Sequence, residues 1–351
     1  MLTSSPPRRA SPTSTSLRIP HLLLLLVVLL LITSPSAAAD CDCGYRIKQT
    51  GQLFTHQSAV TFNTSANSST ALGSEWEVQG WRVPANTTLG TIPRQNRAAN
   101  VWVADSKLHL RQRAWREGED VSIAEIHTGR DDILYGSFRI RSTVVQPQAA
   151  TGGAVAGFFF YRDDVTETDI EIITKDGNSS KTVHYINHPT YNVETDTLIP
   201  GTSFTEPLDK PWTEMQWHRF DWGRNSTSFY QDNVFKRQIS KNVPDEPGKI
   251  MINIWANNGS WSGPPSSRDV TLQIEQIRLY FNTTTSNAGQ DEQFNAQCAQ
   301  AKNDDKAVCD VEDENEPAGT GENGSSSGRL SAGGWWMALV AVVVVVSAAW
   351  V

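Results

Sequence analysis

Between Cys41 and Phe281 the chain never sustains an apolar pattern at the helical period. It runs instead in short stretches of alternating apolar and polar residues: Val101–Val103, Lys107–Arg111, Gly136–Arg141, Gly157–Tyr161, Ser228–Gln231 and Thr271–Tyr280. Gly, Pro, Asn and Asp break these runs, as turns between strands require. No internal repeat is present. Many short strands without helices bury their apolar faces by stacking as two sheets or closing into a barrel. The expectation is an all-β domain, a sandwich of two antiparallel sheets with one sheet curved.

The two ends read differently from this middle. Arg8, Arg9 and Arg18 precede an apolar run from Leu22 to Ile32, and Ser34–Ala39 supplies small residues. Basic, apolar and small segments in that order form a secretory signal, here assigned to 1–39. An uncleaved anchor is the rival, but a spanning helix needs roughly 20 apolar residues. At the other end Asn323–Ser325 are small, Ser326–Gly334 is a polar spacer, and Trp335–Val351 is a terminal apolar run. This order describes a glycosylphosphatidylinositol signal, with attachment at Asn323 and 324–351 as propeptide. No Lys or Arg follows to hold an ordinary membrane span. The expected product is secreted to the cell surface and held at the plasma membrane or wall by lipid alone.

The domain is expected over 40–290, followed by a spacer over 291–323, acidic from Asp304 to Glu316 and then rich in Gly and Ser. That composition buries too little apolar surface to fold, so the spacer is expected to be disordered. A short helix is expected over 291–302, carrying Cys298. Sequons at Asn63, Asn67, Asn86, Asn178, Asn225, Asn258 and Asn282, with an eighth at Asn323, fit export. The net charge of −8 excludes the clustered basic surface that nucleic acid requires. The cysteines are Cys41, Cys43, Cys298 and Cys309. Residues at i and i+2 of a strand splay about 6–7 Å apart, so Cys41 and Cys43 should each pair with a C-terminal cysteine. A zinc site is disfavoured because no His stands near either pair.

Chemistry concentrates in Thr166–Ile173. In an extended strand Glu167, Asp169 and Glu171 share one face while Thr168, Ile170 and Ile172 share the other. Acidic neighbours on one sheet face repel, and such local violations belong at functional sites. The α-carbons of Glu167 and Glu171 should stand about 13 Å apart, and long side chains leaning together close much of that gap. Retaining glycosidases hold their two carboxyls about 5–5.5 Å apart. Three clustered carboxyls do not all ionise cheaply, so at least one proton is retained, yielding an acid beside a nucleophile.

With these flanks the sequence resembles glycoside hydrolase family 16, in its licheninase-like branch, which includes plant and fungal wall transglycosylases. The resemblance rests on Ala124–Arg130 followed by Tyr135–Arg141, on Gly157–Asp176, on Trp217–Trp222 with Phe229–Asn233, on Pro247–Trp255 and on Ile274–Tyr280. It implies a concanavalin A-like β-jelly-roll with a glycan cleft on its concave sheet, and a retaining double displacement through a covalent glycosyl-enzyme. By the family's pattern Glu167 is the nucleophile, Glu171 the acid/base and Asp169 the group that tunes the nucleophile. Matching positions place Glu125, Phe159, Tyr161, His184, Asn253 and Trp255 in the cleft. Aromatic faces pack well on sugar rings, which supports Tyr161 and Trp255. Thr168 replaces the usual aliphatic residue and points to the core. His127 stands where licheninases carry Arg, and His184 where they carry Asn. For Trp76, Trp81, Trp102, Trp115 and Trp212 the core reading outweighs a sugar contact.

The implied activity is a retaining endo-β-glucanase or transglycosylase acting, as a monomer, on β-1,3- or β-1,3/1,4-glucan of cell walls. The rival is a non-catalytic, lectin-like wall protein on the same fold, for which three retained acids serve no purpose. A calcium-dependent adhesion domain would use Asp163, Asp164 and Glu167, but the apolar runs around them read as strand rather than loop. No cofactor is required for the enzyme reading, and a structural calcium is compatible with it.

Overall fold

The computed structural model describes residues 41–62, 71–176, 181–284, 288–301 and 307–311. The signal segment, the lipid-attachment segment with Asn323, and the sequons at Asn63, Asn67 and Asn178 lie outside the described residues. The alternating runs become strands of two stacked sheets. The eight-stranded sheet has the order Val234–Ile239, Thr227–Gln231, Gln216–Trp222, Ile133–Val145, Val270–Thr283, Lys107–Gln112 and Val101–Ala104. His56–Thr61 pairs with the second half of Val270–Thr283. The nine-stranded sheet runs Ser203–Pro207, Thr182–Asn187, Thr166–Ile173, Val155–Asp163, Lys249–Trp255, Val121–Thr128, Arg94–Asn96 and Arg82–Val83, with Trp76–Val78 also on Val121–Thr128. Pairing in both sheets is antiparallel except between Arg94–Asn96 and Val121–Thr128. Sheet neighbours far apart in sequence mean that the chain crosses repeatedly between the layers, as in a jelly roll.

The inner faces are held together by a stack of aromatic rings that crosses between the sheets. Phe160 lies 4.1 Å from Trp222, Phe158 5.1 Å from Phe220, and Tyr185 4.6 Å from Phe229, centroid to centroid. The first of each pair comes from the nine-stranded sheet and the second from the eight-stranded one. Each such side chain removes about 150–250 Å² from water, and ring pairs at these separations gain further from their quadrupoles. Trp222 satisfies its only polar atom by donating from Nε1 to the Pro244 carbonyl at 2.8 Å. The outer hairpin closes on Asp232 and Asn233, both with positive φ (44° and 62°), the left-handed geometry of a type I′ turn.

A small third layer covers the back of the eight-stranded sheet. Leu53–Phe54, Tyr45–Ile47 and Cys309–Val311 form a three-stranded sheet whose Ile47 and Phe54 pack on Tyr280. Disulfides join Cys41 to Cys309 and Cys43 to Cys298, the cross-pairing that the i, i+2 spacing demanded. The helix carrying Cys298 spans Ala288–Gln300, a little earlier than expected. The folded unit therefore does not stop at 290. Cys309–Val311 pairs in parallel with Tyr45–Ile47, so this part of the expected spacer is a strand, recruited by its disulfide rather than by its composition.

Thr168 shows why the acidic strand tolerates a hydroxyl on its core side. It is fully buried, and its Oγ1 lies 2.6 Å from Asn187 Oδ1 and 3.2 Å from the Ile186 carbonyl. Asn187, also fully buried, in turn donates from Nδ2 to the Lys241 carbonyl at 3.0 Å. The polar residue is thus a tie between neighbouring strands, and more than a tolerated replacement. Thr168→Val keeps the volume but strands the Asn187 acceptor; denaturant unfolding should register a loss of about 1–3 kcal/mol.

Candidate active site

The strand Thr166–Ile173 alternates as its sequence requires. Thr168, Ile170 and Ile172 are buried in the core, and Glu167, Asp169 and Glu171 occupy the opposite, outer face of the nine-stranded sheet. Antiparallel register then sets the rows of side chains across that face. Glu171 lies between His184 and Gly157, and Gly157 is followed by Asn253 and Glu125. Asp169 has Phe159 beside it, then Met251 and His127. Glu167 pairs with Tyr161. Glu125, Phe159, Tyr161, His184, Asn253 and Trp255 therefore all stand on strands of this one sheet.

Electrostatics separate the three acids. Burial pushes Glu171 up to about 8; the Glu167 charge acts in the same direction, and a hydrogen bond from Trp261 opposes both. That bond runs from the indole Nε1 to Glu171 Oε2 at 2.6 Å. Burial also raises Glu167, to about 7, helped by the charges of Asp164 and Asp163 and opposed by its hydrogen bond with Asp169. Asp169, 2 % exposed, is held well above the ordinary carboxylate range by burial, then by the neighbouring Glu167 and Glu171. All three therefore hold a proton more readily than a free carboxyl, and Asp169 shares a hydrogen bond with Glu167.

Around the acids the predicted cleft residues have distinct surroundings. Glu125 rises to about 6 through burial, against the pull of Asn253, Arg94 and Trp81; Asn253 Nδ2 reaches its Oε2 at 3.4 Å. Gly157 leaves the floor between Glu171 and Asn253 bare, since a Cβ there would come within 2.7 Å of Asn253 Oδ1. The Arg94 guanidinium lies 5.0 Å over the Trp255 ring. Phe159 is buried and meets Tyr161 edge-on at 6.4 Å, and Tyr161 donates from its hydroxyl to Asp164 at 2.9 Å. His184 is buried as well, its Nδ1 3.1 Å from Thr205 Oγ1 and its ring edge-on to Trp261 at 5.0 Å. His184 therefore supports the indole that bonds Glu171. His127 faces Glu77 at 3.6 Å, and burial holds its pKa low.

Several members of the site were not singled out from sequence. Trp81 had been assigned to the core with four other tryptophans; it is 45 % exposed and hydrogen-bonds Glu125. Trp76 and Trp212 are buried as assigned. Trp261, Arg94 and His188 lie outside any local motif that marks them in the sequence. Trp261 sits in a loop 90 residues beyond Glu171, and the loop is tied down by Lys175 Nζ donating to the Ser260 carbonyl at 2.6 Å. His188 follows the strand Thr182–Asn187, donates its backbone N–H to the Glu167 carbonyl at 3.0 Å and sets Nε2 3.4 Å from Asp169 Oδ2. Of the acids considered for calcium, Asp163 accepts from the Val165 N–H at 3.1 Å and Asp164 accepts from Tyr161. Among the described residues the one group close enough to share a metal is Glu167, Asp169 and His188.

The sequence and the fold both have counterparts among known proteins. A beta-glucanase of Paenibacillus polymyxa is 31% identical over 122 residues, 33% of this chain and 48% of that protein. One from Bacillus subtilis (strain 168) is 29% identical over 136 residues, 37% and 51% respectively. The chain thus spans about half the length of the curated relatives it matches. A solved Bacillus licheniformis beta-glucanase, 19% identical, superposes with a TM-score of 0.50 over 64% of this chain and 97% of its own, and so shares the sandwich. The family model for glycosyl hydrolases family 16 matches residues 94–275, a span that holds every acid of the site and just over half of the sequence. The chain belongs to glycosyl hydrolases family 16.

Proposed function

We propose that the protein is a retaining endo-β-glucanase or transglycosylase acting on β-1,3- or β-1,3/1,4-glucan, with Glu167 as nucleophile and Glu171 as acid/base. The observation that carries this reading is geometric: Glu167, Asp169 and Glu171 stand on one outer strand face within the span matched to the family, with Glu171 held by the Trp261 N–H at 2.6 Å. Burial raises both outer carboxyls above their ordinary value, so one can attack ionised while the other still holds a proton to give. That is the division of labour that double displacement needs. Family membership and the likeness to beta-glucanases point to the same substrate class.

In the first step a Glu167 oxygen bonds to the anomeric carbon as the glycosidic C–O bond breaks, and Glu171 passes its proton to the departing oxygen. Asp169 donates a hydrogen bond to Glu167 and tempers its charge, so the glycosyl ester forms on a stabilised leaving group. In the second step Glu171, now ionised, takes a proton from water or a sugar hydroxyl. That oxygen attacks the anomeric carbon, and Glu167 is released. The bare floor at Gly157 leaves room for a ring beside Glu171, and Trp81, Trp255 and Tyr161 offer faces on which further sugars can stack. Disulfides between the two ends favour an oxidising compartment, which agrees with export and lipid attachment at Asn323 on a cell surface.

Products settle the reaction. Incubated with laminarin, barley glucan and chitin oligosaccharides, the protein should shorten the glucans; chains longer than the donor would identify transfer. Glu167→Gln should lower the rate by roughly three orders of magnitude or more, and an unchanged rate would leave only a glycan-binding role. Trp261 sets the alkaline side of the profile. Its N–H stabilises ionised Glu171, so Trp261→Phe should move the alkaline limb of kcat/KM upward by about one pH unit.

Stability should carry the same signature. A carboxyl whose folded pKa is raised binds its proton more tightly in the folded than in the unfolded chain, so its contribution is fully present below the ordinary 4.5 and is lost as pH passes about 8. Glu171→Gln removes that loss. Its melting temperature should exceed the parent's by a margin that widens across this interval; a constant margin would refute the linkage.

A further inference from the structure

We propose that Glu167, Asp169 and His188 form a binding site for a zinc-like divalent cation, so that such an ion occupies the nucleophile and blocks it. The three residues offer one imidazole nitrogen and two carboxylate oxygens that all lie within 4.8 Å of one another. Two features beyond this proximity point to a ligand. Asp169 Oδ2 is buried without a hydrogen bond, an expensive state for a carboxylate oxygen, and it faces His188 Nε2 at 3.4 Å. His188 is kept neutral by burial, the Asp164 charge opposing, so a ring lone pair is available for coordination.

The donor set also selects the ion. Zinc binds His nitrogen and carboxylate oxygen at about 2.0–2.2 Å, and three protein ligands leave its fourth position to water. Calcium asks for 6–8 oxygens at about 2.3–2.6 Å, which this corner does not assemble. The spread of the donors exceeds the roughly 3.5 Å that tetrahedral zinc imposes on its ligand atoms. Closing it falls to the less buried side chains. Asp169 is fixed at 3 % side-chain exposure while His188 keeps 29 %, and Glu167 is half-buried. The backbone bond from His188 to Glu167 holds the imidazole alongside. Charge completes the case: Asp163 and Asp164 act on Glu167, so the corner draws cations. Binding exchanges the protons shared by the acids for the ion.

The effect on catalysis rests on the glucan-cleaving reading above; the binding does not. Purified full-length protein, stripped of metal by a chelator, would be titrated calorimetrically at neutral pH with zinc chloride and separately with calcium chloride. We expect one zinc per chain and no comparable calcium uptake. His188→Gln should weaken zinc binding about tenfold or more with an unchanged melting curve, and Asp169→Asn should weaken it likewise. Laminarin cleavage by the parent should fall over the zinc range in which binding saturates. Absence of stoichiometric zinc binding, equal affinity for calcium, or undiminished affinity in both variants would overturn the proposal. A protein that binds zinc as described yet cleaves no glucan would refute the enzymatic reading and leave the metal site standing.

Discussion

Three carboxyls taken out of water on one face of one strand are the condition around which the rest of the molecule is arranged. Each alone would prefer solvent, and together they repel. They stay because the pleat gives the strand no choice: whatever buries Thr168, Ile170 and Ile172 must turn the acids the other way. The opposing energy comes from the underside, where Phe158, Phe160 and Tyr185 interleave with Phe220, Trp222 and Phe229. A slip of one residue would drive the acids into that stack and the isoleucines into solvent. The aromatic core therefore fixes the register of the chemistry as well as the stability of the fold.

Register does the remaining work laterally. Because antiparallel neighbours lie directly opposite one another, Glu171 is placed against Gly157, and Gly157 against Asn253, by backbone pairing alone. Five neighbouring strands thus form a continuous floor from backbone pairing alone. Loops contribute the finer adjustments. Trp261 descends onto Glu171 from the turn after Lys249–Trp255, and His188 leaves the end of Thr182–Asn187 beside Asp169. Strands set where the charges are and bury them, and the loop that carries Trp261 eases the ionisation of Glu171.

That division explains what was legible in the sequence. Glu167, Asp169 and Glu171 could be read directly, because period-two alternation is local and survives any tertiary arrangement. The sandwich followed from the same alternation repeated along the chain, and the pairing of each N-terminal cysteine with a C-terminal one from their i, i+2 spacing, although Cys41 and Cys43 stand in a turn and the spacing left open which pairs with which. Trp261 and Trp81 could not be read this way. A tryptophan in a Gly- and Ser-rich turn looks like any other, and its partner is decided by a contact such as Lys175 with Ser260, which no local pattern encodes. Cys309–Val311 failed for the opposite reason. Its acidic surroundings look unfoldable, but a covalent link to Cys41 makes three residues enough to add a strand.

The disulfide-bonded layer lies against Tyr280 on the back of the eight-stranded sheet, whereas the acids line the outer face of the opposite sheet. Val311, where the last strand of this layer ends, therefore lies at the rear. Were that end moored to a surface, the working groove would be turned outward like the palm of a hand held up from its wrist. Long fibres approaching from outside could lie across it without threading beneath the molecule.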